Sequence, residues 1–213
     1  QTKSDELGNF ELIGNIPGFG MYQLRMGESN DKIIPLTLVP GDKIRLKATF
    51  ANYAVTPKLK GEKWAKVMTS YMEVFSKFHS DQAELMKEQG KISDEALTKK
   101  FLALRKPVDA FSVDQMSQDP SNPFNIVLSS SASPSMGFEY WDPNSLKVLK
   151  KVSEAYNKSY PDSPLTETLA NQVYQIEVAY NQYVMQNSGQ QMAPEIALNN
   201  PEKYVLAKGG EIY

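Results

Sequence analysis

The spacing of apolar residues changes once along the chain, near Gly61, and this change constrains the fold more than any other feature. Before Gly61 apolar and polar residues alternate, which is typical of strands with one buried face. After Gly61 apolar residues recur every three or four positions, which is typical of amphipathic helices. Strands that precede the helices, rather than alternating with them, predict an α+β fold. We therefore expect a small antiparallel β-sheet or sandwich followed by an α-helical bundle.

Residues 9–58 are predicted to form the antiparallel β region, with four or five short strands. The clearest alternation covers residues 43–50, where every second residue is apolar and the others are Lys, Arg or Thr. An earlier run with Phe10, Leu12 and Ile16 on one side predicts the first strand. Short turns between the runs favour antiparallel pairing. Pro35 places its run at a sheet edge because proline has no N–H to donate. Residues 1–8 precede this region as a polar tether.

Residues 59–188 are predicted to form the helical region packed with it. The change of period predicts the first helix start near Glu62. The later starts have a capping residue or an N-terminal proline and are expected near Ser93, Pro123, Pro143 and Pro164. The first helix is expected to run to about residue 89. Pro107 is expected to interrupt the second helix, since proline removes a backbone hydrogen bond. A loop of small residues is predicted at 129–137. The core stripe of the last helix is expected to contain Leu169, Val173, Ile176, Tyr180 and Val184.

The composition excludes several classes of function. The chain has 213 residues, no cysteine and one histidine. Without cysteine it has no disulfide, no thiol catalysis and no thiolate metal site. Its net charge of −2 argues against nucleic acid as the partner, since phosphate binding needs a basic surface. No apolar run approaches the roughly 20 residues of a transmembrane helix.

Three polar features admit a catalytic interpretation, and each has a simpler one. His79, the lone histidine, lies beside the aromatic stripe of the first helix and is expected at the surface or at the boundary of the core. The serines at 129–131 lack the Gly-x-Ser-x-Gly turn of a nucleophile elbow and favour a loop. The acidic residues Asp81, Glu84 and Glu88 share a solvated helix face rather than a cleft. No catalytic, cofactor-binding or metal-ligating residue is predicted.

The predicted interaction patch consists of Phe138, Tyr140 and Trp141. These three aromatic residues follow a loop and fit no helical period. Such a cluster is either a hydrophobic plug or an exposed recognition patch, and both interpretations stay open. The aromatic and methionine stripe of the first helix, from Trp64 to Phe78, favours a bundle core over a docking face.

The segment at residues 192–201 resembles the opening of a known module. Pro194 favours an extended Ala193, and Ile196 and Leu198 alternate with small or polar residues before an Asn-Asn-Pro turn. This pattern resembles the first strand of the thioredoxin-like module in TlpA- and AhpC/TSA-like thiol-disulfide oxidoreductases. The residues that match it, as a structural strand, are Ala193, Pro194, Glu195, Ile196 and Leu198. Residues 189–213 are accordingly expected to be a linker and the incomplete start of such a module.

The preceding elements include an Asp-Pro-Ser-Asn-Pro segment at 119–123, a helix that starts at Asp142-Pro143 and a long Tyr-rich helix before Ala193-Pro194-Glu195. This order resembles the N-terminal domain that comes before the module in envelope disulfide reductases of gut anaerobes. The resemblance implies a non-catalytic domain that positions the redox module, docks a protein client or forms a homodimer. It also implies an exported protein, in the periplasm or attached to the outer membrane as a lipoprotein with an N-terminal lipid anchor. The start at Gln1, followed by polar residues, favours a removed leader.

Two alternatives remain. The first is a stand-alone envelope lipoprotein that acts as a protein- or ligand-binding module. The second is an enzyme with its own carboxylate site, for which the sequence offers nothing beyond the presence of acidic residues.

Overall fold

A computed structural model of the chain describes residues 2–25, 27, 33–49 and 57–188. The fold is α+β, as the change in apolar spacing predicts. Within the described residues, two antiparallel two-stranded sheets come first, and five α-helices with one short 3-10 helix follow. Residues up to Ile176 form one compact unit, and a second begins at Glu177. The predicted strand at residues 193–198 lies outside the described part and stays a prediction.

The two sheets are small, and each buries one face. The first pairs β1 (Gly20–Arg25) with β2 (Ile33–Leu38), and Pro35 has the edge position that the sequence predicts for it. The second pairs β3 (Arg45–Lys47) with β4 (Lys58–Lys60). Their inward residues, among them Ile34, Leu36 and Leu59, belong to the main core.

The strand predicted from Phe10, Leu12 and Ile16 does not form. The described structure has no strand before Gly20. Phe10 and Leu12 are exposed, and Ile13 is 85% exposed. An alternating run gains stability only when a neighbouring sheet covers its apolar side, and no strand of the described structure pairs with this run. The β region therefore begins about ten residues later than predicted.

The five α-helices follow the predicted order. They are α1 (Lys63–Met86), α2 (Asp94–Gln118), α3 (Asn125–Ser131), α4 (Asn144–Ser159) and α5 (Pro164–Ser188). Ser93 caps α2 as expected, because its Oγ accepts a hydrogen bond from the Ala96 amide. The stripe of α5 is buried at Leu169, Val173 and Ile176, whereas Val184 is exposed, contrary to the prediction.

Pro107 does not interrupt α2, and the predicted break is wrong. An interior proline removes one backbone hydrogen bond at a cost of about 3 kcal/mol. Pro107 and Ala103, whose carbonyl loses its partner, both lie on the exposed side of the helix, where water can bond that carbonyl. On the inner side, Val108 and Met116 are buried and hold the two halves in line.

The serines at 129–131 form the end of α3 rather than the predicted loop. Ser129 is buried, and its hydroxyl donates to the Ile126 carbonyl at 2.9 Å. Ser133 in turn donates to the Ser129 carbonyl at 2.8 Å. Side-chain bonds of this kind satisfy carbonyls at a helix end, so the small residues stay helical further than their loop propensity suggests.

Phe19 joins the β part to the helices. Its ring packs against Tyr156 at 5.4 Å and Tyr160 at 4.4 Å between centroids. The Ser163 hydroxyl, at the start of α5, donates to the Phe19 carbonyl at 2.9 Å. Tyr156 is fully buried and donates to the Asn122 carbonyl at 2.7 Å. The corner between α4 and α5 thus fixes where β1 begins.

We expect the folded chain to lose stability as the pH rises above about 10. Burial, reinforced by Asp119 and Asp42, raises the pKa of Tyr160 to about 12, and burial also raises the pKa of Tyr156. A tyrosine in the unfolded chain ionises near pH 10. The stabilisation from the buried, neutral tyrosines is therefore complete below about pH 10 and is lost as the pH rises through the pKa of the folded state. Thermal unfolding followed by circular dichroism should show Tm falling across this range, and less steeply in Tyr160→Phe. Equal slopes for the two chains would contradict the assignment to Tyr160.

Candidate functional site

A half-open apolar groove lies between α1, α2, α3 and the start of β1. Its volume is about 420 Å³, within the usual range of about 300–1,000 Å³ for ligand pockets. The apolar side chains that line it are Met21, Phe75, Phe78, Val108, Ile126 and Val127. We call this site the apolar groove.

One wall of the apolar groove is a row of stacked aromatic rings on α1. Tyr71 and Phe75 stack at 5.2 Å between centroids, and Phe75 meets Phe78 at 6.1 Å. Positions three and four apart share a helix face, which places these rings side by side. Phe75 and Phe78 are half-buried. The stripe predicted to be core therefore extends past the core and forms part of a surface site.

A small polar cluster, which we call the polar floor, lies beside these rings. It consists of Tyr71, Arg105, Asp109 and Ser131. The hydroxyls of Tyr71 and Ser131 are 2.7 Å apart. Arg105 donates from Nη2 to the Ser131 carbonyl at 2.7 Å and from Nε to Asp109 Oδ1 at 3.0 Å. These bonds tie α1, α2 and the end of α3 together under the groove.

The polar floor contains two ionisable groups whose pKa values are raised by burial. Burial raises the pKa of Tyr71, although its bond to Ser131 and the charge of Arg105 partly offset this. Burial also raises the pKa of Asp109, again against the opposing charge of Arg105. The Ser131 hydroxyl faces a neutral phenol, not a base, so it lacks the partner that a serine nucleophile needs.

The structure separates the residues of the predicted aromatic patch. Phe138 and Trp141 are half-buried, pack against the core and meet edge to face at 5.7 Å. The Trp141 indole donates to the Ala132 carbonyl at 2.7 Å. Tyr140 is 52% exposed. The plug interpretation accounts for the first two residues, and Tyr140 alone has the exposure of a recognition residue.

The remaining polar candidates have structural roles or lie at the surface. His79 is exposed, as predicted, with its ring edge-on to Phe75 at 4.5 Å. Asp81 and Glu84 lie on α1, whereas Glu88 lies in the turn after its end and so does not share the predicted helix face. Each of the three pairs with a lysine, in the pairs Lys77–Asp81, Lys87–Glu84 and Lys100–Glu88. In the described part of the chain, no cluster of His, Asp or Glu could hold a metal ion. None of the helices in that part is long and apolar enough to cross a membrane.

Arg105 was not among the residues predicted from the sequence, and Ser131 was assigned to a loop. Their contact joins positions 26 residues apart, on different helices, and no local pattern reports such a contact. One feature of the sequence could have indicated a role for Arg105. Arg105 follows Phe101 and Leu104 and precedes Val108, so a cation lies within an otherwise apolar stripe. A charge at such a position is expected to have a specific partner.

Comparison of the chain with protein-family models, with curated proteins and with solved structures finds no match.

Proposed function

We propose that this chain is the non-catalytic, client-docking domain of a thiol-disulfide interchange protein of the bacterial envelope. The apolar groove is the observation that carries the docking role. The redox context and the export to the periplasm or outer membrane rest on the resemblance stated for residues 192–201 and for the element order. With no cysteine, this chain supplies no redox thiol itself.

The chemistry of the groove fits an extended, unfolded segment that carries an apolar side chain. Clients of disulfide exchange expose such segments until their cysteines are paired. The aromatic wall of Tyr71, Phe75 and Phe78 offers a surface for the side chain. Open walls of this kind suit a side chain attached to a longer backbone better than a free small molecule.

The polar floor offers a partner for the client's backbone. Arg105 has five N–H donors. Its hydrogen bonds in the described structure use Nε and Nη2, which leaves Nη1 able to donate to a client carbonyl. Ser130 and Ser135 line the same groove and add hydroxyl groups. An extended backbone can therefore replace its bonds to water while its side chain enters the groove.

We expect Val127→Asp to weaken client binding by at least about ten-fold, because it places a charge where an apolar side chain must lose its water. The probe is a secreted disulfide protein that has been reduced and alkylated, so that it stays unfolded. Its affinity for the purified chain is measured by fluorescence anisotropy. The matched control is Val184→Asp, the same change at an exposed valine. Absent binding by the parent chain, or equal weakening by the control, would contradict the docking role.

The redox context has its own test. The intact mass and the reactive thiols of the native protein are measured after isolation from its source cell. A mass above 23.9 kDa with two reactive thiols would support the interchange protein. A mass near 23.9 kDa without thiols would overturn the redox context and leave the stand-alone binding lipoprotein. Sedimentation of the same sample distinguishes a homodimer from a monomer.

A further inference from the structure

Four basic side chains share the exposed face of the second sheet. Arg45 and Lys47 on β3, and Lys58 and Lys60 on β4, are all exposed, while Leu46 is half-buried and Leu59 is buried on the other side. We call these four residues the basic face. The alternation predicted for residues 43–50 thus has a consequence beyond packing, because the pairing of β3 with β4 brings two basic strands together.

The register of the sheet places like charges directly opposite each other. Arg45 lies across from Lys60, and Lys47 lies across from Lys58. Directly opposed residues have Cβ atoms about 4.5–5.5 Å apart, and like charges at that distance destabilise the pair of strands. The two pairs form a grid of four cations, in which the two residues on the same strand are about 7 Å apart.

The acidic residues that flank the two strands in sequence, Asp42 and Glu62, have other hydrogen-bond partners. Asp42 Oδ2 accepts hydrogen bonds from the Trp64 indole at 2.8 Å and from the Val39 amide at 2.9 Å. Glu62 Oε1 accepts from the Lys43 amide at 3.1 Å. Among the described residues, no ion pair involves a member of the basic face. The repulsion is therefore not relieved within the described fold.

The basic face also contrasts with the rest of the chain. The whole chain carries −2, and these four residues contribute +4, so the remainder carries −6. The basic face is therefore a local concentration of positive charge on a chain whose net charge is negative, and such a patch attracts an anionic partner.

We propose that the basic face binds the surface of a bilayer that contains anionic phospholipids. A planar grid of cations complements a planar array of phosphates, and a single acidic peptide strand would meet only one row of it. The face has no aromatic side chain on which a nucleic acid base could stack. Basic residues near an anionic bilayer surface are attracted to it without insertion. This proposal does not depend on client docking, and it adds a second membrane contact to the lipid anchor expected from the resemblance.

Vesicle flotation with the full chain tests the proposal. The vesicles contain either phosphatidylcholine alone or equal parts of phosphatidylcholine and phosphatidylglycerol. We expect the chain to float with the mixed vesicles, to stay in solution with the neutral ones, and to dissociate as salt is added. Each cation near an anionic surface changes partitioning by about five-fold, so the Lys47→Gln/Lys58→Gln double variant should partition about 25-fold less.

A control with the same net charge makes the result specific. Lys66 on α1 and Lys99 on α2 are exposed and lie outside the basic face. Lys66→Gln/Lys99→Gln should therefore float as the parent chain does. The proposal fails if the parent chain does not bind the mixed vesicles or if both double variants lose binding equally.

Competition by inorganic phosphate at low millimolar concentration would instead indicate a site for single phosphates. Capture by polyglutamate but not by vesicles would indicate an acidic protein partner, and either result overturns the bilayer assignment.

Discussion

Trp64→Ala is expected to lower the free energy of unfolding by about 3–5 kcal/mol, the usual cost of truncating a buried tryptophan. Trp64 is 2% exposed and begins the apolar stripe of α1. Its indole donates to Asp42 Oδ2, which also accepts from the Val39 amide. The substitution therefore opens a cavity and removes one partner of a carboxylate that holds the turn before β3. Urea unfolding followed by circular dichroism measures the loss.

Trp64→Phe separates the two contributions. It keeps most of the buried ring and removes the indole N–H, so the loss should fall to about 1–3 kcal/mol, the cost of a broken buried hydrogen bond. If both substitutions reduce the unfolding free energy by less than 0.5 kcal/mol, the range of a neutral surface change, Trp64 does not hold the sheet to the helices.

Phe19→Ala is expected to cost about 3 kcal/mol or more, within the range for buried phenylalanines. Phe19 is 7% exposed and packs between Tyr156 and Tyr160. Because Phe19 lies immediately before β1, its loss should also loosen the first sheet. Amide hydrogen exchange should therefore accelerate in β1 and β2 more than in α4.

Phe10→Ala is the matched control for this prediction. It makes the same chemical change nine residues earlier, at a ring that is 41% exposed. A surface substitution of this kind changes stability by about 0.5 kcal/mol or less. An equal loss in both variants would mean that Phe10 is covered by a strand, as the alternation of residues 10–16 predicts, and would contradict the exposed segment.

Local periodicity was sufficient to predict the elements whose burial pattern is regular. The alternation at residues 43–48 is confirmed, with half-buried apolar residues between exposed polar ones. On α4, Leu149, Val152 and Tyr156 recur at three- and four-residue spacing and are all fully buried. In both cases each residue's environment follows from its own position along one element.

Predictions failed where a non-local contact outweighs a local preference. Pro107 has a strong local tendency to break a helix, but the burial of Val108 and Met116 keeps α2 continuous. The serines at 129–131 favour a loop by composition, yet Ser131 bonds to Tyr71 on α1 and to Arg105 on α2, and these distant contacts hold the end of α3 in place. Phe10 and Leu12 show the reverse case, because the apolar side of a predicted strand stays exposed when no neighbouring strand covers it.

The candidate sites were the least predictable features. The apolar groove draws on α1, α2, α3 and β1, so its lining residues are scattered over more than one hundred positions. The basic face depends on a register that pairs Arg45 with Lys60, and sequence alone does not specify which strands pair. From the sequence, only the exposure of the alternate polar residues at 43–50 could be predicted.

The hydrogen bond between Ser163 and Phe19 spans 144 positions of sequence. At a synthesis rate of about 5–20 residues per second, Ser163 leaves the ribosome roughly 7–30 s after Phe19. Throughout that interval the corner of α4 and α5 that receives Phe19 does not yet exist. The packing of Phe19 can therefore be completed only after Ser163 has been made, and a factor that protects the nascent chain would have to cover Phe19 for that long.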